Sequence, residues 1–171
     1  MKEKIIKTTK DIEDAILKLS KKLNRDFSGQ SVDIISMNHA ARFLVEDLVE
    51  LLNFDIKLQE LHFKNYEVAN TSGEVCITLD LKDPINDKHV ILADGIIISG
   101  LTHSYISNYL NQRIPKSLSL VSIGVKPHSL TCKLPNSYSL FEFDDAWVEG
   151  YGIGEEEQGS KRYLVDLKKS I

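Results

Sequence analysis

A chain of 171 residues, 42% of them hydrophobic, is long enough for one domain with a sizeable core. A net charge of −4 and a pI near 5.7 argue against a nucleic-acid binder, which is usually basic, and leave open a small anionic ligand held by backbone N–H groups. The apolar runs are too short to span a bilayer, and the mixed-charge start Met1-Lys2-Glu3-Lys4 is unlike a signal peptide. Cys76 and Cys132 lie far apart and read as reduced thiols, so the expected location is the cytoplasm, with neither membrane nor nucleic acid as a partner.

In chain order, Thr9 to Asn24 reads as a helix with the stripe Ile12, Ala15, Ile16, Leu19 and Leu23, capped by Thr8 or Thr9. Val32 to Met37 is a short apolar strand, and Asn38-His39-Ala40 turns it into a second helix carrying Phe43, Leu44, Leu48, Leu51 and Leu52. Ile56 to Phe63 is strand-like, and Lys64-Asn65-Tyr66 opens a polar stretch that runs through Gly73. Val75, Ile77, Leu79 and Leu81 alternate with polar residues, the period of a half-buried strand. Asp83-Pro84-Ile85-Asn86-Asp87 is a turn.

Val90 to Ala93 is a buried strand, closed by a turn-forming Asp94-Gly95. A second apolar run, Ser99-Gly100-Leu101-Thr102 and a helix follow. Leu118 to Val125 is another strand and Lys126 to Asn136 a loop. Trp147 to Gly150 is a short strand, Gly152 to Gly159 an acidic loop, and Tyr163 to Leu167 the last strand. Strands alternating with helices predict a parallel α/β sheet with helices on both faces, as one domain over residues 1–171. Ligands on such sheets bind at the carboxyl ends of the strands.

A strand that ends in a small-residue, hydroxyl-bearing loop and opens a helix suits a phosphate, because free N–H groups and the helix dipole both favour an anion there. Ser99, Gly100, Leu101 and Thr102 have that form, which an ordinary strand-to-helix turn shares. Asn38 reads equally as a helix cap. Trp147, the only tryptophan, offers a flat π surface to a base or a large side chain to the core.

The run Asp94-Gly95-Ile96-Ile97-Ile98-Ser99-Gly100-Leu101-Thr102 resembles the phosphoribosyl-pyrophosphate (PRPP) motif of the type I phosphoribosyltransferases, in particular the hypoxanthine-guanine phosphoribosyltransferases. That motif has two acids, two aliphatics, an Asp and Thr-Gly-x-Thr. Trp147-Val148-Glu149-Gly150-Tyr151 is similar to the family's base-stacking aromatic and its Val-x-Gly-Tyr tail. The resemblance covers roughly residues 30 to 167 and implies the family's fold, a mostly parallel central sheet with helices on both faces and a small hood.

It also implies site residues. Ser99 to Thr102 would bind the 5′-phosphate and Asp94 the ribose. Lys133, Trp147 and Val148 would bind the purine. Asn38 and His39 would form the pyrophosphate loop, and Asn65 and Tyr66 would start a lid, with Asn65 in place of the usual Ser. Magnesium would be the metal, with Asp94 and Glu155 as its candidate ligands. Purine and PRPP would be the partners, and a homodimer or homotetramer the assembly.

Departures fall on the acids. Gly95 replaces the second acid, Ile98 the proton-accepting Asp and Gly154 a magnesium-binding Asp. Glu155, Glu156 and Glu157 follow at once, and Ser160 falls at the family's pyrophosphate-binding Arg, beside Lys161 and Arg162. Two functions therefore stay open. One is a purine salvage enzyme joining hypoxanthine or guanine to PRPP with weakened activity. The other is a degenerate relative that binds a purine nucleotide as a regulatory or assembly module. Restoring acids at positions 95, 98 and 154 is expected to raise the rate.

Overall fold

The structure, a computed structural model, describes residues 4–66, 74–155 and 159–167. A four-residue strand β1 (Lys4–Lys7) leads into α1 (Thr9–Asp26). Thr8 caps that helix in a reciprocal box with Asp11: the Asp11 N–H donates to Thr8 Oγ1 at 3.2 Å, and the Thr8 N–H to Asp11 Oδ2 at 2.8 Å. Then come β2 (Ser31–Met37), α2 (Arg42–Val49), β3 (Asp55–Tyr66) and β4 (Glu74–Leu79). β5 (His89–Ile97), α3 (Leu101–Asn111), β6 (Ser117–Val125), β7 (Asn136–Glu142), β8 (Val148–Glu149) and β9 (Leu164–Asp166) complete the chain.

Six strands form the main sheet in the order β4-β3-β2-β5-β6-β7, all parallel except β4, which runs antiparallel to β3. Helices cover both faces, as the strand–helix alternation predicts. Val32, Ile34, Ile91, Ala93, Val121 and Ile123 pack on the side of α1 and α2. Ile35, Val90, Leu92 and Leu120 pack on the side of α3, against Ile106 and Leu110. Because β2, β5 and β6 are buried on both faces, they read as continuous apolar runs rather than alternating ones.

β1, β9 and β8 make a second, antiparallel sheet, the small hood. It is tied to α2 by the buried Tyr151, whose hydroxyl donates to the Asp47 carboxylate. Arg162 Nη2 lies 2.6 Å from each oxygen of the same carboxylate. Its guanidinium also lies over the Phe43 ring, 4.6 Å from the centroid. Burial first, and then the Asp47 hydrogen bond, push the Tyr151 phenol well above its ordinary range. Among the described residues no helix is long and apolar enough to cross a membrane.

Three local expectations are corrected. Asp94-Gly95 is not a turn, since β5 continues through both to Ile97. The ladder to β6, with Asp94 opposite Ser122 and Ile96 opposite Gly124, supplies hydrogen bonds that outweigh the local preference. Asn38 does not cap α2, whose N-cap is Ala41. At φ 52° Asn38 instead accepts the Phe63 N–H through Oδ1 at 2.9 Å and donates its own N–H to the Leu61 carbonyl at 3.0 Å, stitching β2 to β3. The third correction is β7, a parallel edge strand that starts at Asn136, where the sequence reads only the end of a loop.

Candidate active site

At the carboxyl ends of β2, β5 and β6 two clefts adjoin and share Asp94, Ile96 and Ile98. One, of about 350 Å³, is closed by the hood and carries Trp147, Val148, Glu149 and Lys126. The other, of about 360 Å³, carries Asn38, Ser99, Gly100 and Thr102. Asp94 thus stands between a space with an aromatic platform and a space with a hydroxyl-bearing loop.

The loop is formed because Gly100 takes φ +80° as the N-cap of α3, a conformation that L side chains rarely adopt. It is braced from outside: the Ser99 carbonyl accepts the Thr131 N–H at 3.0 Å and the Thr131 hydroxyl at 3.2 Å. A Cβ on Gly100 would lie 3.0 Å from both Cys132 Sγ and Leu134 Cδ2. The Leu101 N–H donates to Ser99 Oγ at 3.3 Å. Ser99, Gly100 and Thr102 line the cleft, whereas Leu101 is exposed outside it.

The Asp94 carboxylate has two partners. Oδ1 accepts the Gly95 N–H at 2.8 Å, and Oδ2 lies 2.7 Å from Nε2 of the buried His103. A carboxylate only accepts, so Nε2 carries the proton. Nδ1 is buried with no hydrogen-bond partner among the described residues. Sequence reading missed His103, which sits nine residues from Asp94 and belongs to no motif.

Trp147 is 65% exposed and therefore not a core residue. Its indole N–H donates to Glu149 Oε1 at 2.9 Å. The lysine of this cleft is Lys126. Lys133, the expected purine ligand, is exposed and lines neither cleft. The signal for Lys126 was present: it directly follows the apolar strand that ends at Val125, at the carboxyl end where ligands bind.

The remaining expected positions are scattered. His39 is exposed, edge-on to His62 at 5.1 Å between ring centroids, and lines neither cleft, whereas Asn38 lines the loop-side cleft. Asn65 and Tyr66 end β3, paired in register with Val75 and Glu74 of β4, and residues 67–73 of the expected lid lie outside the described residues. Glu155 is exposed and lines neither cleft, while Glu156 and Glu157 lie outside the described residues. Arg162, beside the expected pyrophosphate arginine, is committed to Asp47.

The three lost acids leave no holes. A Cβ on Gly95 would lie 3.0 Å from Ala40 Cβ and 3.2 Å from Ile153 Cγ1. A Cβ on Gly154, at φ +97°, would lie 2.9 Å from Glu149 Oε2. Ile98 is 52% exposed, at the junction of the two clefts. For magnesium the donor set is thin. Asp94 is the one carboxylate of the loop-side cleft among the described residues, and no group of three His, Cys, Asp or Glu there could hold a metal.

No family model matches the chain. A hypoxanthine-guanine phosphoribosyltransferase from Dictyostelium discoideum is 26% identical over 175 residues, covering 99% of this chain and 97% of that protein. The chain is a distant relative of the hypoxanthine-guanine phosphoribosyltransferases. Solved structures share its fold. A hypoxanthine phosphoribosyltransferase from Staphylococcus aureus superposes with a TM-score of 0.90 at 24% identity, over 96% of this chain and 91% of that one. A hypoxanthine-guanine phosphoribosyltransferase from Bacillus anthracis superposes with a TM-score of 0.88 at 22% identity, over 97% of both chains. The mostly parallel sheet, helices on both faces and hood are those of the type I phosphoribosyltransferase fold.

Proposed function

We propose that this chain is a purine phosphoribosyltransferase of the salvage type, joining hypoxanthine or guanine to PRPP and releasing pyrophosphate, at a rate below that of relatives with the full acidic motif. The observation that carries the reading is Asp94, standing between the Trp147–Lys126 cleft and the Ser99–Thr102 loop. A base stacked on Trp147 and a 5′-phosphate on the loop put the anomeric carbon of the ribose beside Asp94. Lys126, which has only donors, suits a carbonyl oxygen on the base. The loop binds phosphate through backbone N–H groups and the Ser99 and Thr102 hydroxyls.

In this reaction a ring nitrogen of the base bonds to the anomeric carbon while the carbon–oxygen bond to pyrophosphate breaks. The leaving group takes the electron pair, and the base loses its N–H proton. Ile98 cannot accept that proton, so it passes to solvent or pyrophosphate. Magnesium fits as a companion of PRPP, with Asp94 the residue to hold it, since this ion is usually bound through one or two carboxylates plus substrate phosphates. It would offset charge on the departing pyrophosphate. What the chain itself supplies is orientation, and holding two reactants in register is worth much of a barrier.

The filled space at Gly95 and Gly154 favours a second reading, a nucleotide-binding module without turnover. One experiment separates the two: a coupled assay with hypoxanthine, guanine, xanthine and adenine, each with PRPP and magnesium, run beside calorimetry with the nucleoside monophosphates. Slow transfer with a 6-oxopurine supports the enzyme. Tight nucleotide binding without pyrophosphate release supports the module, and binding of no purine nucleotide rejects both.

A further inference from the structure

The base-side cleft holds a carboxylate that the family motif does not account for. Glu149 is half-buried on β8, and its Oε1 accepts the indole N–H of Trp147 at 2.9 Å. Its other oxygen, Oε2, occupies space beside Gly154: a Cβ there would come within 2.9 Å of it and within 3.0 Å of Cδ. The absent side chain at position 154 and the carboxylate of Glu149 are therefore one feature, in which glycine makes room for the acid. Lys126 lines the same cleft of about 350 Å³.

We infer that Glu149 is a specificity-determining residue that makes this cleft favour guanine over hypoxanthine, xanthine and adenine; the inference rests on the purine reading above. Lys126 only donates and an ionised Glu149 only accepts. Guanine presents the complement along one edge, a carbonyl at C6 followed by an N–H at N1 and an amino group at C2. Hypoxanthine lacks the C2 amino group. Xanthine sets a carbonyl oxygen at C2 against the carboxylate. Adenine is mismatched twice, with an amino group toward the lysine and an unprotonated N1 toward the acid. Sites that hydrogen-bond a substrate group reject the analogue lacking it, because the site's own polar atom is left unpaired. The Trp147 hydrogen bond fixes the acid beside the ring on which the base would stack.

The test is calorimetry of guanosine and inosine monophosphates with the full chain and with Glu149→Gln. Glutamine keeps a carbonyl acceptor for Trp147 and nearly the same shape, and loses the charge. The unmodified protein is expected to bind the guanine nucleotide about tenfold or more tightly than the hypoxanthine one, the scale of a hydrogen bond to a charged group. Glu149→Gln is expected to bring that ratio close to one. If Glu149 only held Trp147, the variant would shift both affinities together and keep their ratio, which overturns the inference while leaving the purine reading intact. Equal affinities in the unmodified protein overturn it in the same way. Binding of neither nucleotide overturns the purine reading and this inference with it.

Discussion

Nε2 of His103, in the first turn of α3, lies 2.7 Å from Oδ2 of Asp94 on β5. The imidazole is buried and lines the loop-side cleft beside Asp94, which faces both clefts, so the histidine fixes the carboxylate that would meet the ribose. His103→Phe keeps the bulk and removes the donor. PRPP affinity, read by calorimetry, is expected to fall about tenfold or more, as for losing a hydrogen bond to a charged group. His103→Gln, which retains a donor, should recover part of the loss. An unchanged affinity in His103→Phe would remove the positioning role.

Trp147 is 65% exposed, which settles one of the two readings of that residue. A core tryptophan truncated to alanine would cost about 3–5 kcal/mol of stability. An exposed one should cost within about 0.5 kcal/mol. We expect Trp147→Ala to melt close to the unmodified protein and to lose purine-nucleotide affinity by about 1–3 kcal/mol of stacking. A variant that melts normally and binds nucleotide as before would end the platform role.

The parts that were legible in the sequence are those with local periodicity. The runs Val32 to Met37, Val90 to Ala93 and Leu118 to Val125 are the buried strands, and the spacing of Ile12, Ile16, Leu19 and Leu23 marks α1. What escaped depends on partners distant in the chain. β7 reads Asn-Ser-Tyr-Ser-Leu-Phe-Glu and is a strand because β6 pairs with it. β5 passes through Asp94-Gly95 because Asp94 and Ile96, on either side of Gly95, pair with Ser122 and Gly124 of β6. The Asp94–His103 pair spans a loop and a helix start that no short motif describes. The glycines at 95 and 154 read as losses in one dimension. In three they are places where Ala40, Ile153 and Glu149 have moved in.

His89 gives the fold a pH dependence away from the site. It opens β5, edge-on to Phe27 at 5.7 Å between ring centroids, with Nδ1 2.7 Å from Ser117 Oγ and Nε2 buried without a partner among the described residues. Burial first, and then the charge of Lys116, lower its pKa from the ordinary 6.5. The unfolded chain therefore takes up a proton more readily than the folded one. The stability it contributes is full above about pH 6.5 and is lost as the pH falls from there through the lowered native pKa. Chemical denaturation should show a midpoint that declines below about pH 6.5, and His89→Gln should flatten that part of the decline. A midpoint equally steep in His89→Gln would assign the acid sensitivity to other groups.

The missing acids can be restored only in part. Gly95→Asp would bring its Cβ to 3.0 Å from Ala40 Cβ and 3.2 Å from Ile153 Cγ1. Overpacking of that kind costs about 1–3 kcal/mol. Gly154→Asp would put an L side chain at φ +97° with its Cβ 2.9 Å from Glu149 Oε2. Such backbone positions cost about 1–3 kcal/mol, and two carboxylates would also repel each other there. Ile98 is different, since it is 52% exposed at the junction of the clefts and a carboxylate there stays hydrated. Ile98→Asp alone is therefore expected to leave the melting temperature nearly unchanged and to raise kcat/KM with hypoxanthine or guanine. The ceiling is the 10²–10⁴-fold that a general acid–base group typically supplies. The triple variant Gly95→Asp, Ile98→Asp, Gly154→Asp should melt earlier and turn over no faster than Ile98→Asp. The sequence alone predicts the reverse, that three acids together outperform one. A triple variant that melts like the unmodified protein and exceeds Ile98→Asp in kcat/KM would show that Ala40, Ile153 and Glu149 yield, and that the acids were lost without being replaced.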